Sequence, residues 1–84
     1  MNRRRLLQRI QQGSHQNISY SDLVSLIEGL GFHEVRTPGS HHIFKHPSVP
    51  DFVNLQAIHG QAKSFQVRQI MHLIRRYNLS LGEP

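Results

Sequence analysis

The chain has 84 residues, enough for one hydrophobic core and too few for a second independent domain. Ten Lys and Arg against five Asp and Glu leave a formal charge of +5, so the expected partners are anionic, and seven histidines add positive charge on mild acidification. The absence of cysteine excludes a disulfide framework, a thiolate zinc site and a cysteine nucleophile, and no apolar run exceeds two residues where a spanning helix needs roughly 18; a cytoplasmic chain without a membrane segment is expected.

The first segment carries the triplet Arg3-Arg4-Arg5 and places Leu6, Leu7 and Ile10 within one helical turn of each other, so a short helix is predicted there. Gly13-Ser14-His15-Gln16-Asn17 then reads as a helix stop and linker. Residues 1–18 are taken as a basic N-terminal appendage, either a solvated terminus or an arm that contacts phosphate. From Ser21 the pattern sharpens. Leu23, Leu26, Ile27 and Leu30 follow i, i+3, i+4, i+7 spacing, one face of an amphipathic helix that Ser19 or Ser21 can cap and that Gly29 to Gly31 should end.

Phe32 to Arg36 is predicted as a first strand, Thr37-Pro38-Gly39-Ser40 as a turn, and His41 to His46 as a second strand bounded by Pro47. Ser48 to Asp51 should connect to a third strand over Phe52 to Ile58, in which Val53, Leu55 and Ala57 alternate with Asn54 and Gln56. His59 to Lys63 reads as a loop. Ser64 is the expected N-cap of a last helix whose apolar face is Val67, Ile70, Met71 and Ile74 and whose opposite side carries Arg68, His72, Arg75 and Arg76. Two one-sided helices and a one-sided sheet are best satisfied when both helices cover the same sheet face. The expected core is Leu26, Ile27, Leu30, Phe44, Val53, Leu55, Ile70 and Ile74.

The densest chemical segment is Gly39-Ser40-His41-His42-Ile43-Phe44-Lys45-His46-Pro47. Strand alternation sends His41 to the face opposite His42 and His46, and those two lie roughly 13 Å apart, so no metal site is expected. With Phe44 turned to the core, His41, Ile43 and Lys45 occupy the open face; His42 is then a partly buried histidine with a backbone partner. If the strand turned over, His42 would replace His41. An imidazole beside a lysine on an open basic face meets the minimum for RNA cleavage in which the 2′-hydroxyl attacks its own phosphate, without metal or small-molecule cofactor. The same residues would also serve a non-catalytic RNA-binding module. Lys45, Lys63, Arg68, Arg75 and Arg76 are the candidate RNA-binding cations.

The run Gly31-Phe32 … Arg36 … Gly39-Ser40-His41-His42-Ile43-Phe44, preceded by Ser21-Asp22-Leu23 on an amphipathic helix and followed by a basic helix, resembles the HicA toxins of bacterial and archaeal toxin–antitoxin pairs. The likeness covers about residues 19–81, taken as the domain, with 82–84 as a tail. It implies an α+β fold like the double-stranded-RNA-binding domain: α-β-β-β-α, a three-stranded antiparallel sheet and both helices on one face. It also implies mRNA interferase activity, with the histidine directly after Gly-Ser, here His41, as the catalytic one, and Gly39 and Ser40 in the supporting turn. A HicB-like antitoxin that covers this histidine is the implied protein partner, and mRNA the implied substrate. Leu55-Gln56-Ala57-Ile58-His59 stands where many members carry Pro-x-His, which makes His59 only a loose counterpart.

Overall fold

A computed structural model describes residues 2–82. In chain order the elements are α1 (Arg3–Gln11), α2 (Tyr20–Gly29), β1 (His33–Arg36), β2 (His42–His46), β3 (Val49–Leu55), β4 (Ala57–Ile58), β5 (Gln61–Ala62) and α3 (Ser64–Arg76). Strands β1, β2 and β3 pair antiparallel in that spatial order, and β4 pairs with β5 in a separate two-stranded ribbon. The α-β-β-β-α order predicted from the sequence is therefore present, with α1 in front of it. Among the described residues, no helix is long and apolar enough to cross a membrane.

The helix faces and one sheet face close on a single core. Leu23, Leu26, Ile27 and Leu30 from the α2 segment, Phe44, Val53 and Leu55 from the sheet, and Val67, Ile70 and Ile74 from α3 are all buried. Every residue of the expected core is among them, and truncating one of the large ones to Ala should cost about 2 to 5 kcal/mol. On the other sheet face Lys45, Phe52 and Asn54 are exposed, as strand alternation requires once Phe44 and Val53 point inward.

Two local devices hold the sheet against α2. Ser19 Oγ accepts the Asp22 N–H at 3.1 Å and so starts the helix; after Leu30 the chain reverses at Gly31, with φ +108°. A Cβ at Gly31 would stand 2.7 Å from His46 Nε2, so this position needs glycine both for its backbone angle and for its space. His46 uses that space: Nε2 donates to the Leu30 carbonyl at 2.9 Å, Nδ1 accepts the Ser48 N–H at 2.9 Å, and the ring meets Phe32 edge-on at 5.0 Å between centroids.

The first two strands begin one residue later than expected, at His33 and His42, because Phe32 turns into the core and His41 closes the turn, and three further expectations about element bounds need correction. The third strand begins at Val49 and ends at Leu55, where the sequence reading placed it at Phe52 to Ile58. Pro50 is accommodated because β3 is an edge strand, where a missing N–H leaves no ladder bond unmade. Ala57 is exposed and does not continue the buried alternation; with Ile58 it forms a hairpin to Gln61–Ala62. The tip of that hairpin, His59 and Gly60, has φ of +51° and +76°, the two left-handed residues of a tight primed turn, so the expected loop is a β-ribbon. Lastly, Ser64 is the first helical residue of α3. Lys63 holds the extended N-cap position, and its N–H donates to Gln66 Oε1 at 3.3 Å.

The N-terminal segment is packed into the domain. Asn2 Oδ1 caps α1 by accepting the Arg5 N–H at 2.8 Å, and the helix seats Leu6 and Ile10 in the common core, each at 1% exposure or less. Ile18 is buried too. The ribbon clamps this part of the chain, since Ala62 N–H donates to the Ile18 carbonyl and Tyr20 N–H to the Gly60 carbonyl, both at 2.9 Å. Of the expected tail, Gly82 donates its N–H to the Gly29 carbonyl at 3.2 Å; residues 83–84 lie outside the described residues.

Candidate active site at the His41 turn

The turn between β1 and β2 delivers His41 to the outer face of the sheet. Gly39 adopts φ +62°, and the His41 N–H donates to the Pro38 carbonyl at 3.1 Å, closing a four-residue turn. A Cβ at Gly39 would meet nothing within 4 Å, so glycine serves here through its backbone angle alone. Ser40 is anchored across the sheet, its Oγ accepting from Gln56 Nε2 at 3.0 Å.

His41 is exposed, with Nδ1 at 3.0 Å from Asn54 Oδ1. With an amide oxygen on that side, Nδ1 carries the proton of the neutral ring and Nε2 keeps its lone pair for a ligand. The ring borders an open groove of about 400 Å³ whose other walls are Phe52, Asn54 and Gln56 from the sheet side and Lys63, Phe65, Gln66 and Gln69 from α3 and its cap. The groove thus combines one imidazole, one ammonium, a set of amides and two aromatic rings. Phe52 also borders the neighbouring hollow formed with Arg36, Ile43 and Asn54.

His42, one residue on, faces the helix side of the sheet. Its partner is the Glu34 carboxylate, Nδ1 to Oε2 at 2.6 Å, and its ring stacks obliquely on Tyr20 at 5.6 Å. This corrects the expected backbone partner, which belongs to His46 instead. Thr37 Oγ1 donates to the same Glu34 oxygen. The Thr37 hydrogen bond first, then that of His42, holds the Glu34 carboxyl below its ordinary value. Burial, followed by the Glu34 charge, pushes the Tyr20 phenol up. Glu34 therefore ties both ends of the turn that carries His41.

The five candidate cations fall in different places. Lys63 lines the His41 groove. Lys45 is on the same sheet face but sits over the Phe52 ring, Nζ at 4.8 Å from its centroid. Arg68 and Arg75 border a separate hollow with Gly13, His15 and His72, between α3 and the loop after α1. Arg76 donates from Nε to the Tyr77 hydroxyl at 3.3 Å. His59 is at the ribbon tip and does not line the groove. The sequence reading passed over Phe52, Asn54, Gln56, Phe65 and Gln69. Of these, Phe65 was legible as a large apolar residue off the buried stripe of α3.

The family model described as the HicA toxin of bacterial toxin-antitoxin matches residues 20–75, two thirds of the sequence and all of the elements from α2 to the last turn of α3. The chain belongs to the HicA toxin family. It is accordingly a toxin of a toxin–antitoxin system, and membership implies a cognate antitoxin as partner. The matched region of this HicA protein includes the whole His41 turn and groove, whereas α1 and the linker after it precede the match. No curated protein and no solved structure gives a significant match.

Proposed function

We propose that this HicA-family toxin is an mRNA interferase acting in the cytoplasm, with His41 as the catalytic acid or base and a HicB-like antitoxin as its neutralising partner. The observation that carries the reading is the pairing of His41 with Asn54. It engages Nδ1 of an exposed imidazole that lines an open groove and leaves Nε2 without a hydrogen-bond partner among the described residues, with Lys63 on the groove wall.

Cleavage follows from these groups by transesterification. Nε2 takes the proton of the ribose 2′-hydroxyl, the 2′-oxygen attacks the adjacent phosphorus, and the bond from phosphorus to the 5′-oxygen breaks. The leaving 5′-oxygen takes a proton from water, the imidazolium returns its proton to the hydroxide so formed, and the products carry a 2′,3′-cyclic phosphate and a 5′-hydroxyl. An ammonium such as that of Lys63 stabilises the charge that develops on the phosphoryl oxygens. None of these steps calls on a metal, and the groove's polar lining is imidazole, amide and ammonium with no carboxylate.

The reading is tested by inducing wild type and His41→Ala side by side in cells and following RNA integrity. Loss of intact mRNA with wild type alone is the expected result. Intact RNA in both cultures, with the wild-type protein bound to it, would instead describe a passive RNA-binding module.

A further inference from the structure

We propose that the His41 groove takes a single-stranded stretch of RNA whose unpaired bases stack on Phe52 and Phe65, the two rings that border the groove. This rests on the reading of the groove as an RNA site and adds the class of RNA it accepts.

The phenylalanines divide sharply. Phe32 and Phe44 are 3% and 1% exposed, whereas Phe52 and Phe65 are 56% and 54% exposed. Folding alone gives no reason to leave two phenyl rings in water, and a scattered pair would need no explanation. These two border one groove together with His41. Phe52 stands on the outer sheet face, and Phe65 is the second residue of α3; neither contributes to the core.

Each ring has an ammonium over it, Lys45 Nζ at 4.8 Å from the Phe52 centroid and Lys63 Nζ at 5.7 Å from that of Phe65, and a base that stacks there moves the flexible lysine head aside to its own phosphate. A nucleotide is the ligand that uses both halves of such a pair: its base stacks on the ring, and its phosphate takes the ammonium. Asn54, Gln56 and Gln69 supply amides in the same groove, where the donor and acceptor edges of an unpaired base can meet them.

Double-stranded RNA does not fit this surface. In a duplex both faces of each base are covered by its neighbours, so exposed rings find nothing to stack on except at an end; duplexes are read through phosphates and 2′-hydroxyls. The fold order resembles that of a duplex-binding domain, but the surface chemistry around His41 is that of a single-strand site. An acidic protein could also settle on these rings and lysines. The amides in the same groove and the one-to-one pairing of ring and ammonium favour the nucleotide.

The test uses the 84-residue chain carrying His41→Ala, so that bound RNA stays intact. It is titrated with a short RNA containing 2-aminopurine, as a single strand and as a hairpin duplex of the same composition. We expect the single strand to bind at least about tenfold more tightly, with quenching of the probe on stacking. Adding Phe65→Ala or Phe52→Ala should weaken single-strand binding by about 5- to 150-fold each, the measured range for one stacked base, while leaving the salt slope intact. Phe65→Trp should restore binding, and circular dichroism verifies that each variant is folded.

Equal affinity for duplex and single strand would overturn the proposal. So would Phe→Ala variants that bind RNA normally, including the case in which they lose only the antitoxin. Cleavage by the otherwise wild-type protein, followed in parallel, separates the two readings. Cutting that is indifferent to both rings removes the stacking proposal and keeps the nuclease. Ring-dependent binding without any cutting keeps the stacking and removes the nuclease.

Discussion

His41 and His42 are consecutive residues with the same side chain and opposite environments. His41 has a single amide oxygen at Nδ1 and opens onto a groove; His42 is held by the Glu34 carboxylate and the Tyr20 ring at the margin of the helix-covered face. Their position at the start of β2 accounts for the difference: His42 opens the strand and His41 is the turn residue just before it, so their side chains leave on opposite sides of the sheet. The same step decides which imidazole is available to a ligand and which braces the turn. Chemistry on one face and support on the other are thus delivered by one Gly-Ser-His-His segment.

The sharpest way to break this comparison is to remove each imidazole in turn. His41→Ala should lower the rate of RNA cleavage by about 10²- to 10⁴-fold with little change in melting temperature, since general acid–base catalysis supplies that much and an exposed side chain packs little. His42→Ala should do the reverse. It loses a partly exposed hydrogen bond to the Glu34 carboxylate and a ring contact, so thermal unfolding should shift down by a few degrees, with activity falling only as far as the turn loosens.

A smaller effect is expected from Gly39. Gly39→Ala forces a side chain into a left-handed angle with no clash, which costs about 1 to 2 kcal/mol in a stability measurement; Gly39→Asn, which tolerates that angle, should recover most of it. Since the turn carries both histidines, the alanine variant should lose activity and stability together, unlike either histidine variant alone.

Acid sharpens the comparison further. Glu34 has its carboxyl held below the ordinary value of 4.5 in the folded protein, so its contribution to stability is fully present above that value. It is lost as pH falls through the lowered value, where the folded state must take up the proton. Glu34→Gln should therefore flatten the acid limb of the stability curve below pH 4.5 and leave the Asn54–His41 pair in place. The smallest effect concerns salt. Lys63→Ala should reduce the slope of log affinity for single-stranded RNA against log salt by about 0.7, the share of one phosphate contact.

What was legible in the sequence was whatever a local period could carry. The i, i+3, i+4, i+7 spacing of Leu23, Leu26, Ile27 and Leu30 marked α2, and the alternation around Phe44 placed His41 on the outer sheet face. Pairings between distant segments were not legible. Nothing local to Leu6 and Ile10 says that α2 and α3 cover them, and nothing near His42 names Glu34, which reaches it only through strand register. The third strand was misplaced because Pro50 reads as a break unless the strand is known to lie at an edge. Beyond Leu55, Ala57 matches the period of the alternation in sequence, but the strand has ended and Ala57 already belongs to the hairpin whose tip is His59-Gly60. Asn54 had no motif to announce it, and Phe65 stood out only as an apolar residue off the buried stripe of α3; both acquire meaning from sharing a groove with His41.

The most direct measurement is cleavage of a short RNA by purified wild-type and His41→Ala proteins in EDTA, with the product ends identified and both proteins verified as folded. The account predicts fragments with 2′,3′-cyclic phosphate and 5′-hydroxyl ends from wild type, and at least about a 100-fold slower reaction from the variant. A folded His41→Ala protein that cuts at the wild-type rate would contradict it.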